Sequence, residues 1–286
     1  MASLKDTKRR IVSVKTTQKI TKAMKLVSSA KFARANRLFM QAERYDEALV
    51  SVVDKFLASE LAQKSALLQK RKEKTACLVV CSTDRGLCGN LNAVLLKKAL
   101  HFVEEKRRKN IQTKIYLWGK KSFLLSSTLQ EHVVEEDLSV FVSPSIKKAR
   151  SVAQRLLEPF LAEAVDSVSF IYPKFKNILT QTPLVKQLVP LVSEVDSKSN
   201  LSLDDFKVEP ELGLLDKLLE TKVINDIYHI FLNGSAAEHA ARMTAMDNAT
   251  RNADEVIKSL TLEYNRARQA AITKELIEIT SGAEAL

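Results

Sequence analysis

The chain has 286 residues and is 45% hydrophobic and 28% charged, with a formal net charge of +11, a composition typical of a folded protein with one or two domains. It has no run of about 18 apolar residues that would span a bilayer, and its start, MASLKDTKRR, lacks the apolar region of a signal peptide, so we expect a cytosol-facing protein. Three cysteines without a CxxC pair or a nearby histidine cluster support neither a disulfide framework nor a zinc site.

Residues 1–60 are predicted to form one long helix, because no Gly or Pro occurs before Gly86. The segment is basic, since residues 1–44 hold twelve Lys and Arg against two acidic residues. Composition does not decide whether it meets phosphate, anionic lipid or an acidic protein. Alternating steps of four and three residues predict a coiled-coil seam along Ile20, Met24, Val27, Lys31, Arg34, Leu38, Ala42, Tyr45, Leu49, Val52 and Phe56.

The middle of the chain, residues 74–195, alternates strand and helix patterns and predicts a small Rossmann-like α/β domain. The expected strands are 75–83, 114–119, 168–175 and 184–192, and the expected helices are 90–108, 120–127 and 145 to about 165. All six prolines lie between Pro144 and Pro210, so the second half of this domain is predicted to carry the turns.

The turn after the first strand, Asp84 to Asn90 (DRGLCGN), is rich in glycine and leads into a helix. A nucleotide-binding enzyme is one interpretation, because such a turn offers backbone N–H groups to phosphate. The turn matches neither GxGxxG nor GxxxxGK[ST], however, and serves equally well as a tight connection. With four scattered histidines and neither HExxH nor GxSxG, the sequence predicts no catalytic site, metal site or cofactor.

Residues 211–286 are predicted to form a second long helix, since neither Gly nor Pro occurs from Ser235 to Ser281. About 70 helical residues would extend roughly 100 Å, which is longer than a compact domain requires. Because both ends of the chain carry a seam, we expect them to pair as an intramolecular antiparallel coiled coil, with parallel homodimerisation as the alternative. The predicted seam is Ala249, Ala253, Ile257, Leu260, Tyr264, Ala267 and Ala271.

Four segments resemble the γ chain of F-type ATP synthase. They are TTQKITKAMKLVSSAK (16–31), STDRGLCGNLN (82–92), AAEHAARMTAMDNAT (236–250) and LTLEYNRARQAAITKELIEITSGAEAL (260–286). The resemblance implies a bacterial-type rotor subunit that couples proton flow to ATP synthesis without being catalytic itself. Its implied partners are a ring of α and β chains around the coiled coil, and the ε chain and the membrane c ring beside the central domain.

The resemblance also implies partner-contact residues. On the N-terminal helix these are Lys22, Met24, Lys25, Lys31 and Arg34, where the basic side chains would meet an acidic loop of the β chains.

Near the C-terminus, Arg268 and Gln269 are the implied catch for another β-chain loop, and Glu275 shares a helix face with Arg268 and would orient it. Glu209 is an implied contact to the c ring, although Val208 stands where the family often has tyrosine.

A start at Met1 without a transit peptide favours peripheral attachment at the cytoplasmic face of a bacterial inner membrane. The alternative function is a basic coiled-coil nucleic-acid-binding protein, for which the N-terminal charge is the sole support. Such a protein would be recognised by an affinity for nucleic acid that falls steeply as the salt concentration rises.

Overall fold

The computed structural model describes residues 4–57, 64–122, 133–137, 144–191 and 212–284. Its elements in chain order are α1 (Leu4–Leu57), β1 (Thr75–Cys81), α2 (Leu91–Arg108), β2 (Gln112–Trp118), a 3-10 turn (Lys120–Ser122), β3 (Val133–Asp137), α3 (Ile146–Leu161), β4 (Ser167–Phe175), β5 (Gln181–Val189) and α4 (Leu212–Glu284). The predicted domain boundaries at 60, 195 and 211 lie outside these described residues, so the division into 1–60, 74–195 and 211–286 stays a prediction.

The chain divides into two compact units, and α1 and α4 contribute to both. Unit 1 consists of Met1–Ser29 and Arg242–Leu286, and unit 2 consists of Ala30–Ala241. None of the described helices is long and apolar enough to cross a membrane.

Unit 2 contains one five-stranded sheet with the strand order β3-β2-β1-β4-β5. The first four of these strands are parallel to their neighbours, and β5 runs antiparallel along β4. Strand β1 (TACLVVC) is buried from Ala76 to Cys81, as expected for a central parallel strand that is covered on both faces. The sheet confirms the predicted α/β character of this part of the chain.

Two packed layers cover the sheet. On one face, Leu91, Leu95, Ala99 and Val103 of α2 join the apolar residues of β1 and β2. On the other face, α3 and parts of α1 and α4 form the larger core. The Trp118 ring lies 5.6 Å from Phe170 and 6.3 Å from Phe231, both in edge-to-face geometry.

Several predicted boundaries in unit 2 differ from the structure. Helix α3 ends at Leu161 rather than near Val165, because Glu163 adopts a φ of 59° and the amide of Ala164 bonds to the carbonyl of Pro159 at 2.9 Å. The helix predicted over 120–127 is a 3-10 turn as far as Ser122, and the rest of it lies outside the described residues.

The two outer strands were the hardest to predict. Strand β5 starts three residues before the predicted position and contains Pro183, which an edge strand tolerates. Strand β3 was missed, because three of its five residues are acidic and acidic residues are rare in strands.

The predicted seam of α1 is displaced from the face that is buried. Ile20, Val27 and Tyr45 are 55%, 56% and 55% exposed. The less exposed positions in unit 1 include Leu4, Thr7, Ile11, Val14, Gln18, Thr21, Lys25 and Ser28, and those in unit 2 include Phe32, Ala35, Phe39, Ala42, Asp46, Leu49, Val53 and Phe56. This set also alternates by four and three, and it shares Ala42, Leu49 and Phe56 with the predicted seam. In unit 1 it contains several polar residues, so counting apolar side chains there selects positions one residue away from the buried ones.

The core of unit 2 should be sensitive to truncation at Phe231, which is fully buried against Trp118. We expect Phe231→Ala to lower the free energy of unfolding by about 3–5 kcal/mol, because it removes a buried ring and leaves a cavity. Chemical denaturation of the purified chain measures this loss. Leu179→Ala, at a site that is 80% exposed, is the control and should change the free energy of unfolding little; equal losses would contradict the core assignment.

Candidate partner interface

The two helices of unit 1 run antiparallel and are joined by polar contacts. Gln18 Nε2 donates to Asp254 Oδ1 at 3.4 Å, and the hydroxyl groups of Thr21 and Thr250 lie 2.8 Å apart. Lys25 Nζ donates to Asp247 Oδ1 at 2.5 Å. As the residue number rises on α1 it falls on α4, which agrees with the predicted intramolecular antiparallel pairing.

Lys25 is engaged within its own chain. Its ammonium group forms an ion pair with Asp247, which also receives Arg251 Nη2 at 2.8 Å. The hydrogen bond from Lys25, with support from Arg251, lowers the pKa of Asp247 below its usual value. A partner chain that approaches Lys25 therefore meets an ion pair rather than an isolated positive charge.

The other predicted contacts on α1 are more accessible. Lys22 in unit 1 is exposed and Met24 is half-buried. Lys31 and Arg34 in unit 2 are exposed, and the ion pairs of the described residues include none that involves Lys22, Lys31 or Arg34. These three cations face solvent.

The last part of α4, from Gln269 onward, extends past the described part of α1 in unit 1. Continuing the one-to-one register from the pair of Gln18 and Asp254 places Leu4 opposite Arg268. Residues from Gln269 onward therefore lie beyond the described start of α1. Leu276, Ile277 and Ile279 are 58%, 57% and 67% exposed there.

The predicted catch residues lie at this point. Arg268, Gln269 and Glu275 are all exposed. Among the ion pairs of the described residues none joins Arg268 to Glu275, so the structure does not bring these two side chains together as predicted. Glu209 lies outside the described residues.

The glycine-rich turn after β1 is closed by its own side chains. Thr83 Oγ1 donates to the carbonyl of Arg85 at 2.8 Å, and Asn92 Nδ2 donates to Thr83 Oγ1 at 2.8 Å. Asp84 Oδ1 accepts the amide of Lys120 at 3.2 Å. These bonds favour the interpretation of the turn as a connection between strand and helix.

The cysteines of unit 2 are buried. Burial raises the pKa of the Cys77 thiol to about 12 and that of Cys81 well above its usual value, so both thiols are protonated and unreactive at neutral pH. Among the described residues, no group of histidine, cysteine and acidic side chains is arranged to hold a metal ion.

Comparison with known proteins identifies the family. The sequence profile of the ATP synthase family matches residues 3–286. The ATP synthase gamma chain of Geobacter metallireducens is 42% identical, over 100% of this chain and 99% of the relative. That of Pelagibacter ubique is 40% identical, with 100% of both chains covered. The chain belongs to the ATP synthase gamma chain family.

Solved structures of low sequence identity share the fold of this chain. A chain from the central stalk and c-ring of the Tetrahymena thermophila mitochondrial ATP synthase has a TM-score of 0.64 at 23% identity, covering 80% of this chain and 99% of that chain. A chain from the Euglena gracilis mitochondrial ATP synthase, in rotational state 3, has a TM-score of 0.66 at 17% identity, covering 99% and 94%. These matches confirm the predicted fold class.

Membership in the gamma chain family also confirms the prediction that this chain works as a subunit of an ATP synthase. The alternative of a nucleic-acid-binding protein finds no support in these comparisons. The charge of the N-terminal helix is thus a property of a gamma chain and needs no polynucleotide to explain it.

Sequence reasoning missed the α4 side of the polar contacts in unit 1. Asp247, Thr250 and Asp254 each face a polar side chain of α1, and the sequence pattern predicts a contact role for none of them. The sequence does contain a signal for these polar contacts. On α1 the coiled-coil spacing of Leu4, Ile11 and Val14 continues through the polar residues Gln18, Thr21 and Lys25, which indicates that the facing helix offers polar partners there. Such a polar stretch of a seam is a known device for fixing register.

The Lys25–Asp247 ion pair is expected to respond to charge exchange. Lys25→Glu places two carboxylates together, so we expect faster hydrogen exchange in residues 18–28 of α1. The double variant Lys25→Glu with Asp247→Lys should restore slow exchange, because it rebuilds the pair with reversed charges.

Lys22→Glu is the matched control, because Lys22 carries the same charge on the same helix and is exposed. It should leave exchange in residues 18–28 near the wild-type rate. If the double variant exchanged as fast as Lys25→Glu, the ion pair would have no part in holding the helices together.

Proposed function

We propose that this chain is the rotating central shaft of an F-type ATP synthase and couples proton flow through a membrane c ring to ATP synthesis in a ring of α and β chains. The observation that carries the proposal is the asymmetry of unit 1. There α4 continues from Gln269 to Glu284 beyond the described start of α1 as a helix whose side chains, apart from the half-buried Ala271, are exposed up to Ser281. A helix end with so much exposed apolar surface suits enclosure by other chains.

In this proposal the chain is not catalytic, and nucleotide chemistry belongs to its partners. Support comes from the turn after β1, where Thr83 and Asn92 are hydrogen-bonded to each other and Cys88 is buried beside them. The backbone amide of Thr83 also donates to Asn92 Oδ1 at 3.1 Å, so neither this amide nor these side chains are free to bind a phosphate.

The exposed cations of α1 are proposed to meet an acidic loop of the β chains. Lys22, Lys31 and Arg34 offer positive charge at the surface, whereas Lys25 shares its charge with Asp247. Exposed opposite charges mainly steer association and orientation. We therefore assign the charge-steered contact to these three residues, with Met24 as an apolar neighbour.

Arg268 and Gln269 are proposed as the catch that a β-chain loop engages during rotation. Among the described residues Arg268 forms no ion pair, so its guanidinium group is available for a bidentate bond to a carboxylate of another chain. Glu275, at an exposed position on the same helix, is proposed as a further contact.

The remaining partners follow from the family. We propose that the ε chain and the c ring bind the part of the chain that contains the sheet, with Glu209 as a c-ring contact. The chain would then be attached peripherally, through the complex, at the cytoplasmic face of a bacterial inner membrane.

Reconstitution tests the proposed function directly. Purified α and β chains with this chain should give ATP-driven rotation of a bead fixed to it, and the full complex in sealed vesicles should synthesise ATP from a proton gradient. Assembly without rotation would refute the role as a shaft.

The next prediction concerns charge reversal at the exposed cations of α1. Changing Lys22, Lys31 and Arg34 together to Glu should lower proton-driven ATP synthesis severalfold, because attraction to an acidic partner becomes repulsion. The helices should stay folded, since all three side chains are exposed. The measurement is the rate of ATP synthesis in vesicles with equal amounts of assembled complex.

A control triple with the same change in charge is Lys5, Lys8 and Lys19 to Glu, at exposed positions of α1 that are not among the proposed contacts. It should leave the rate near that of wild type. If both triples lowered synthesis equally, net charge rather than a local contact would explain the loss.

The catch prediction concerns Arg268 and Gln269. Arg268→Ala with Gln269→Leu should lower ATPase turnover of the assembled complex about tenfold, as expected when a charge-assisted contact that forms during turnover is lost. Circular dichroism of the variant chain should be unchanged. Arg266→Ala, which removes an exposed arginine two residues away, is the control and should turn over ATP at the wild-type rate. If the double variant also kept wild-type turnover, Arg268 and Gln269 would not form the catch.

A further inference from the structure

A cluster of four charged side chains joins three elements inside unit 2. Asp226 Oδ1 on α4 accepts hydrogen bonds from Lys186 Nζ on β5 at 2.9 Å and from Lys222 Nζ on α4 at 2.5 Å. Lys222 Nζ also lies 3.3 Å from Asp46 Oδ1 on α1. We call Asp46, Lys186, Lys222 and Asp226 the charge cluster. Its links run from the edge strand through α4 to α1.

The charge cluster is deeply placed and electrically balanced. Asp226 and Lys222 are 2% and 8% exposed. A second donor, Asn225 Nδ2, bonds to Asp46 at 2.7 Å, so each carboxylate accepts two hydrogen bonds. The neighbouring His229 has a lowered pKa, chiefly because it is buried, and is neutral at pH 7. The four members of the cluster carry two positive and two negative charges.

Stability alone does not explain why charges occupy this position. Removing ions from water costs about as much as their mutual attraction returns, and apolar replacements of buried ion pairs are often neutral or stabilising. A buried ion pair does, however, fix the relative position of the two elements that it joins. Separating the pair leaves an uncompensated charge in the interior, which costs much free energy. The same interface already has apolar contacts through Val53, Val223 and Ile227.

Direction matters for a part that carries torque. Apolar contacts are non-directional, so a helix that twists about its axis can exchange one apolar neighbour for the next at little cost. Asp226 has no such freedom, because its donor Lys186 lies on β5, and Lys222 of α4 is held by Asp46 of α1. Twisting α4 relative to β5 would pull Asp226 away from Lys186, and twisting it relative to α1 would pull Lys222 away from Asp46.

We infer that the charge cluster is a torque-bearing joint, in which Asp46, Lys186, Lys222 and Asp226 are positioning residues that hold the sheet and the two long helices in one rotational alignment. This inference rests on the proposed function, because torque has to pass through this chain only if it is a shaft. The joint binds no ligand and takes part in no chemical step.

The test uses the assembled complex with Lys186→Met. This variant cuts the link between β5 and α4, keeps a side chain of similar length, and leaves Lys222 paired with Asp226. With the α/β ring fixed to a surface and a bead on a cysteine introduced at Lys109, the thermal distribution of bead angles in a catalytic pause should be wider than in wild type. Hydrogen exchange over 181–189 should be about tenfold faster, as expected for loss of one charge-assisted hydrogen bond.

Asp46→Asn is the second variant and should also widen the angle distribution, because it weakens the link between α4 and α1. The matched control is Glu104→Gln with Arg108→Met, which removes an exposed ion pair on α2 in the same unit and should leave the angle distribution unchanged. Thermal denaturation tests whether Lys186→Met keeps the melting temperature of wild type, in which case a wider distribution reports alignment rather than unfolding.

The outcomes separate the joint from the proposed function. Angle distributions and exchange rates for Lys186→Met equal to those of the control would overturn the joint, even in a complex that rotates normally. A wild-type chain that supports no rotation would instead refute the shaft itself. If both variants showed a wider distribution of bead angles together with a lowered melting temperature, the charge cluster would act only by stabilising the fold. That result would also overturn the inference.

Discussion

The structure depends on the burial of α4 within unit 2. Every residue from Lys222 to Ile227 is buried, so this stretch has no face directed at water. A helix buried all round has to be apolar or to satisfy each polar side chain, and α4 does both. Leu219, Val223 and Ile227 pack in the core, whereas Asn233 accepts the amide of Phe175 at 2.6 Å. The sheet, α1 and α3 are arranged around this requirement.

Along its length α4 passes through environments that differ in chemistry. In unit 2 it is enclosed by apolar side chains. From Asp247 to Asp254, in unit 1, polar atoms face α1, and beyond Gln269 the described side chains are mostly exposed. One continuous helix thus serves as a core element, as half of a polar pair and as an extending end.

Much of the fold could be predicted from sequence, and the failures have physical causes. The absence of breakers predicts both long helices, and the β-branched run before Cys81 predicts the central strand. The seam of α1 could not be found by counting apolar residues, because its contacts with α4 in unit 1 are hydrogen bonds and an ion pair. For the same reason counting apolar residues does not find Asp247, which pairs with Lys25 within the chain; whether Lys25 also meets a partner stays a prediction.

The exposed end of α4 gives a reason why its apolar residues need a partner. Leu276, Ile277 and Ile279 together present an apolar surface on a helix with nothing packed against it in the described part of unit 1. Such a surface on an isolated chain favours aggregation, so a protein that keeps it gains from permanent enclosure. The enclosing wall cannot hold this end by ion pairs if the end is to turn, because every buried pair would have to be broken at each step. Apolar contacts have no preferred direction, and they allow the end to be enclosed and still rotate.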